Sequence, residues 1–191
     1  MRLDNLDSLK FPLAYGTGTC QLLLGDSRYT EQILALRNDP DLNQHLNGTS
    51  LTTEDHEEWL AAQITRRDAL NFVVLVRNQF AGTASLYNLE PGVRCEYGRV
   101  VMPDTGVRIY AVPVEILCMS FAFEVLGVGE VYCRVREDNT GVIDLHLAIG
   151  WRRDSRYDED GSGTQLGFSF PLERWPEAFE RQRRVLERTM R

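Results

Sequence analysis

The sequence predicts an α/β fold of the α+β kind, and three observations predict it. Three segments rich in β-formers follow one another across short turn signals between Asn71 and Met102, the mark of an antiparallel meander. A long segment, Val112–Leu126, is hydrophobic on nearly every side, as a helix buried on most faces must be. A strand, Val131–Val135, then stops at the polar turn Glu137-Asp138-Asn139 and hands over to a helical run through His146 that Gly150 closes before Trp151.

The other elements can be justified in order. Gly16-Thr17-Gly18-Thr19 reads as a turn before a strand at Cys20–Leu24, and it lacks the Gly-Lys-Ser/Thr ending of a phosphate loop. Arg28–Asn38 sets Ile33, Leu34 and Leu36 on a compact apolar face, and Asp39-Pro40 ends that helix because the residue before proline avoids the α region. Thr52-Thr53-Glu54-Asp55 is a capped start for a second helix through Trp59, Leu60 and Ile64. The meander strands are Asn71–Val76, Phe80–Leu86 and Arg94–Met102, divided by Arg77-Asn78-Gln79 and Glu90-Pro91-Gly92. Pro113 fits the first turn of the apolar helix, where its missing N–H costs little. A strand at Glu130–Arg136, a helix at Thr140–Ile149, strands near Trp151–Tyr157 and Thr164–Phe170, and a charged helix at Arg174–Met190 complete the chain. Trp175, Phe179 and Leu186 are that last helix's docking candidates.

Composition narrows the function. At 191 residues, 43% hydrophobic and 26% charged, the chain fits one domain, residues 1–191, with a core over about 19–171 and a helical extension over about 172–191. A net charge of −7 argues against nucleic acid as a partner, since phosphate backbones demand a basic face. Cys20, Cys95, Cys118 and Cys133 form no C-x-x-C pair, so neither a zinc site nor a disulfide framework is expected, and buried reduced thiols of a cytoplasmic protein are. No apolar run reaches membrane-spanning length, and no metal is implied.

Three stretches carry a resemblance to a known family. Leu36-Arg37-Asn38-Asp39 with Leu51-Thr52-Thr53-Glu54-Asp55-His56, Cys95-Glu96-Tyr97-Gly98 leading to Met102-Pro103, and Asp138-Asn139 through Leu145-His146 to Gly150-Trp151 resemble the GCN5-related N-acetyltransferase (GNAT) superfamily. Within it the chain is most similar to enzymes that acetylate nucleotide-linked amino sugars, of the type that modifies the 4-amino group of a UDP-linked dideoxy amino sugar in the pseudaminic-acid pathway. The resemblance implies a mixed, mostly antiparallel, twisted sheet of about seven strands flanked by about four helices plus a C-terminal helix. It implies acetyl-CoA as cosubstrate, a primary amine as acceptor and a homodimer paired through C-terminal strands.

Acetyl transfer from a thioester to an amine needs a neutral amine, donors for a developing oxyanion, a proton for the leaving thiolate and a cradle for pyrophosphate. Glu96 is the candidate base, with a hydrogen-bonded strand carboxylate as its bland alternative. The resemblance implies main-chain N–H groups of Val100, Val101 and Met102 for the oxyanion. His146 stands where the family usually places a tyrosine; an imidazole titrating near pH 6.5 can donate or accept a proton, although a lone histidine on an apolar face is also a common core residue. Asn139 is a candidate for the pantetheine arm or a plain helix cap. The family's glycine-rich cradle is altered here to Gly106-Val107-Arg108-Ile109-Tyr110-Ala111, where Ile109 or Tyr110 replaces the central glycine and would crowd a close backbone approach.

On the acceptor side the candidates are Arg37, Asn38, His45, His56, Trp59, Tyr87 and Asn88, polar and aromatic groups suited to a sugar and a base. Two alternatives stay open. One is acetylation of a protein N-terminus or a small amine. The other is an interaction module that has lost efficient cofactor binding through the changed cradle.

Overall fold

A computed structural model describes residues 14–16, 19–24, 27–42, 52–103, 108–158 and 164–189. Among the described residues, eight strands form one sheet in the order β1-β2-β3-β4-β5-β6-β8-β7: β1 Ala14–Gly16, β2 Cys20–Leu24, β3 Leu70–Val76, β4 Gln79–Glu90, β5 Arg94–Val101, β6 Glu130–Arg136, β7 Arg152–Arg153 and β8 Gln165–Pro171. Every neighbouring pair is antiparallel except β5 with β6. The helices are α1 Thr30–Asn38, α2 Thr53–Thr65, α3 Ala111–Ser120, α4 Thr140–Ile149 and α5 Trp175–Thr189.

Apolar runs such as Phe72-Val73-Val74-Leu75-Val76 arise because helices cover both faces of the sheet. Leu22, Leu24, Phe72, Val74 and Val76 join the main core with Val114, Met119 and Phe121, while Leu23, Val73 and Leu75 meet Ile33 of α1 on the opposite face. Side chains alternate along a strand, so both sets are buried when both faces are covered. The β3–β4 connection is a two-residue hairpin in which Arg77 and Asn78 both take positive φ (50° and 63°), the twist that suits right-handed strands.

Besides β4, which runs on to Glu90 instead of stopping at Leu86, the structure differs from the sequence-based expectations in three places. The apolar helix is α-helical only through Ser120 and continues as a π-helical turn, Phe121–Leu126, in which Phe121, Ala122 and Phe123 are all buried, before Gly127 closes it at φ 68°. The strand expected near Trp151–Tyr157 shrinks to β7, because Asp154 accepts a hydrogen bond from the Arg156 N–H (3.1 Å) and caps a 3-10 turn at Ser155–Tyr157. A short edge strand, β1, precedes the turn expected at Gly16–Thr19. Trp175 and Phe179 pack on the domain's own core, Trp175 at 5% exposure; the side chain of Leu186 lies outside the described set.

Candidate active site

The parallel pair β5–β6 is the feature that opens the sheet. Its recorded pairing covers Arg94–Glu96 against Glu130–Tyr132 and goes no further, although β5 runs to Val101 and β6 to Arg136. Two register shifts between β4 and β5 steer this divergence. Tyr87 pairs with Glu96 and Glu90 with Arg94, leaving one extra residue on β4; Thr83 pairs with Val101 and Ser85 with Gly98, leaving one extra residue on β5. Positive φ at Asn88 (49°) and Arg99 (54°) falls within those two bulged stretches. A bulge bends its strand and re-aims the local backbone. Gly82 makes room for the second: a Cβ there would sit 2.3 Å from the carbonyl oxygen of Val101.

A cavity of about 460 Å³ fills the wedge. It is lined by Gly98–Met102 of β5 and its end, Cys133–Arg136 of β6, Ala111 and Glu115 of α3, and Asn139, Val142, Leu145 and His146 at α4. The structure therefore brings together Val100, Val101, Met102, Ala111, Asn139 and His146 from the expected cofactor set and acid. Gly106, Val107 and His45 lie outside the described residues, as does the side chain of Arg108. Tyr110 is buried in the main core, and Ile109 is 70% exposed. No side chain caps the N-terminus of α3, the end of a helix at which an anion is favoured. Asn139 caps α4 through a long contact from the Val142 N–H (3.4 Å) and also faces the cavity.

Glu96 corrects the base assignment. It is 1% exposed and does not line the cavity. Its Oε1 accepts from the Tyr87 hydroxyl (2.9 Å) and Arg134 Nε (3.0 Å), and its Oε2 from Asn88 Nδ2 (2.9 Å) and the second Arg134 nitrogen (3.0 Å). A carboxylate offers about four lone-pair sites, and four donors occupy them, so none is left to take a proton from an amine. Glu96 is the pin that ties β4, β5 and β6 together at the point where the last two part. Tyr87 and Asn88 are brought to this pin, and the Tyr87 ring face is already covered by Arg99, whose guanidinium carbon lies 4.2 Å from the ring centroid. Burial, and then Glu96, push the Tyr87 phenol well above its usual range.

The acceptor-side candidates gather around a positive charge that sequence reading did not single out. Burial and then the charge of Arg99 push Arg37 below the usual guanidinium range. Burial, then Arg37, hold His56 below the ordinary imidazole range, with Glu57 opposing. His56 is 3% exposed and stacks on the half-buried Trp59 at 5.7 Å. Asn38 is exposed at the end of α1. Asp41, just beyond α1, lines the cavity mouth with Arg99.

At the inner wall, His146 is 4% exposed and packed against Tyr97, Trp151 and Phe168. Its Nδ1 lies 3.2 Å from Oε2 of Glu115, itself 1% exposed, but without the alignment of a hydrogen bond. Trp151 Nε1 donates to the other Glu115 oxygen at 2.5 Å. Glu115 escaped the sequence reading, although a signal was present. It and the exposed Glu124 are the two carboxylates in the apolar run Val112–Leu126, and a carboxylate buried as Glu115 is needs a partner. Each receives an indole N–H, Glu124 from Trp175 at 3.3 Å.

Residues 26–152 match the family model described as an acetyltransferase (GNAT) domain. The chain belongs to the GNAT acetyltransferases. It is therefore an acetyl-CoA-dependent N-acetyltransferase by family. Solved structures share the fold. Apo FdhC, a nucleotide-linked sugar GNAT, superposes with a TM-score of 0.78 at 21% identity, covering 90% of this chain and 97% of that one. A GCN5-related N-acetyltransferase from Brucella melitensis gives 0.73 at 20% identity, covering 90% and 84%. Spermidine N-acetyltransferase from Vibrio cholerae, solved in complex with CoA and spermine, gives 0.73 at 14% identity, covering 84% and 99%.

Proposed function

We propose that this GNAT enzyme moves an acetyl group from acetyl-CoA to the amino group of a nucleotide-linked amino sugar, in the cytoplasm, where four free buried thiols fit a reducing compartment. The cavity between β5 and β6 suits the pantetheine arm, with Val100, Val101 and Met102 offering backbone donors, Ala111 and the uncapped start of α3 taking phosphate, and Asn139 flanking the arm. Bound there, acetyl-CoA supplies the thioester. The chain's residues orient it beside His146, which protonates the departing sulfur.

The observation that carries the acceptor class is the Arg37–Arg99 grouping. Burial and then the charge of Arg99 lower the proton affinity of Arg37, so this pair of guanidinium groups makes a site that favours an anion over a cation. A diphosphate linker fits that site. A polyamine, the acceptor named for the Vibrio cholerae neighbours, does not. The half-buried Trp59 stacked on His56 offers a face for a base or sugar.

Initial rates with a UDP-linked 4-amino-4,6-dideoxyhexose, spermidine and a peptide N-terminus test the proposal. The nucleotide sugar should give the highest kcat/KM, and Arg99→Ala should raise its KM about tenfold while leaving kcat within a few-fold. Preference for spermidine, or a KM unmoved by Arg99→Ala, would refute the acceptor class. Acetyl-CoA alone at about 100 times its dissociation constant should stabilise the fold by roughly 2.7 kcal/mol.

A further inference from the structure

With Glu96 sealed, the wall of the cavity still has to supply whatever group removes the amine's proton. Among the described residues lining it, the side chains able to exchange a proton are Asp41, Tyr97, Glu115, Cys133 and His146. Asp41 lies at the mouth. Burial, then Glu115 and two thiols, push the Tyr97 phenol well above its usual range, and burial also pushes Cys133 well up. Cys118, beside them on α3, is pushed up in the same way. These three groups are neutral near pH 7. Glu115 is left as the acid that faces His146, with Trp151 holding its far oxygen.

The imidazole is placed asymmetrically. Nδ1 is sealed from solvent and aimed toward Glu115 without a completed hydrogen bond, whereas Nε2 is the nitrogen left for the cavity that His146 lines. A buried polar atom left unsatisfied beside a buried carboxylate requires an account. Catalytic hydrogen bonds are often long or misaligned before substrate binds and tighten afterwards.

We propose that Glu115 is the positioning residue of a Glu115–His146 proton relay, fixing the Nδ1–H tautomer so that Nε2 serves in turn as base and acid for acetyl transfer. The proposal rests on the acetyltransferase reading. Its balance is closed: as the C–N bond forms, Nε2 takes a proton from the amine nitrogen; as the C–S bond breaks, the resulting imidazolium returns that proton to sulfur. The products are an amide and a free thiol, and His146 ends neutral. The Glu115 carboxylate faces the imidazolium and stabilises it, as the third member of nucleophile–base–orienter arrangements does. A phenol at this position donates well but accepts poorly at neutral pH. With histidine here, one side chain covers two of the reaction's requirements.

The relay is tested by nitrogen-15 NMR of histidine-labelled full-length protein together with pH–rate profiles. In the wild type without ligand, the neutral His146 ring should carry its proton on Nδ1. Glu115→Gln retains an oxygen for the Trp151 indole but loses the charge. It should move both the ring titration and the limiting limb of the kcat profile to lower pH by about one unit, with a ten- to hundredfold loss in kcat. Glu115→Asp should restore the limb in part. A neutral wild-type ring protonated on Nε2 overturns the relay without any variant. A normal wild-type rate with ring titration and limb unmoved in Glu115→Gln overturns the relay alone. Absence of acetyl transfer by the wild type to every amine tested overturns the enzyme reading and the relay with it.

Discussion

Two carboxylates, Glu96 on β5 and Glu115 on α3, are each 1% exposed, and their surroundings are opposite in kind. Glu96 receives four hydrogen bonds from three side chains and is sealed off from the cavity. Glu115 receives one, from Trp151, faces the cavity, and lies beside an imidazole nitrogen that lacks a completed bond. A saturated carboxylate has spent its capacity on holding strands together. An under-satisfied one keeps capacity for a change of protonation next to it. Burial alone does not distinguish scaffold from machinery in this enzyme; the count of partners does.

That contrast can be broken at several points. The largest stability effect is expected on the saturated side. Glu96→Ala leaves Arg134, Tyr87 and Asn88 without their shared acceptor and should cost about 3 kcal/mol, less than a fully buried pair because Arg134 is 35% exposed. In a chain of this size that is a fall in Tm of roughly 10 °C by calorimetry. A change below 2 °C would show that the pin is dispensable.

Gly82→Ala comes next, and it addresses the geometry rather than the charge. Gly82 has φ of 148° and its added methyl would meet the Val101 carbonyl, so the end of β5 must shift. A loss of about 2 kcal/mol and a several-fold weaker dissociation constant for acetyl-CoA by calorimetry are expected. Unchanged cofactor affinity would mean that the bulge does not shape the cavity.

The smallest effect lies at the surface. Asp154 is held down to about 2 by its hydrogen bonds to Arg156 first, with burial opposing. A carboxyl depressed in the folded state stabilises the fold above its unfolded value near pH 4 and loses that contribution as pH falls toward 2. Because Arg156 is 64% exposed, the contribution is about 1 kcal/mol after screening. Asp154→Asn should accordingly lower Tm by a few degrees at pH 7 and by almost nothing at pH 2.

Much of the fold was legible because its signals are local. The limits of β6 and α4 follow from β-rich composition, the Asn139 cap and the Gly150 stop, and they stand as read. His146, Asn139 and Val100–Met102 were legible as neighbours through a family resemblance, and the cavity unites them. Their partners were not legible. Arg134 meets Glu96 across 38 positions, and Trp151 meets Glu115 across 36; no periodicity encodes pairs so far apart. For Glu96 the sequence left base and hydrogen-bonded strand carboxylate both open, because its sequence neighbours say nothing of β6. Arg99 was passed over because its importance comes from a bulge, a property of strand pairing.

The most direct test is a comparison of His146→Phe and Glu96→Gln in a single assay of acetyl-CoA-dependent acetylation of the UDP-linked amino sugar. It is run below both melting temperatures, with acetyl-CoA affinity measured alongside. His146→Phe should lose about 100- to 1,000-fold in kcat while its acetyl-CoA affinity stays within a few-fold, and Glu96→Gln should lose stability yet keep kcat within about threefold. A folded Glu96→Gln protein without activity, beside a His146→Phe protein of nearly normal rate, would contradict the division of labour between Glu96 and His146.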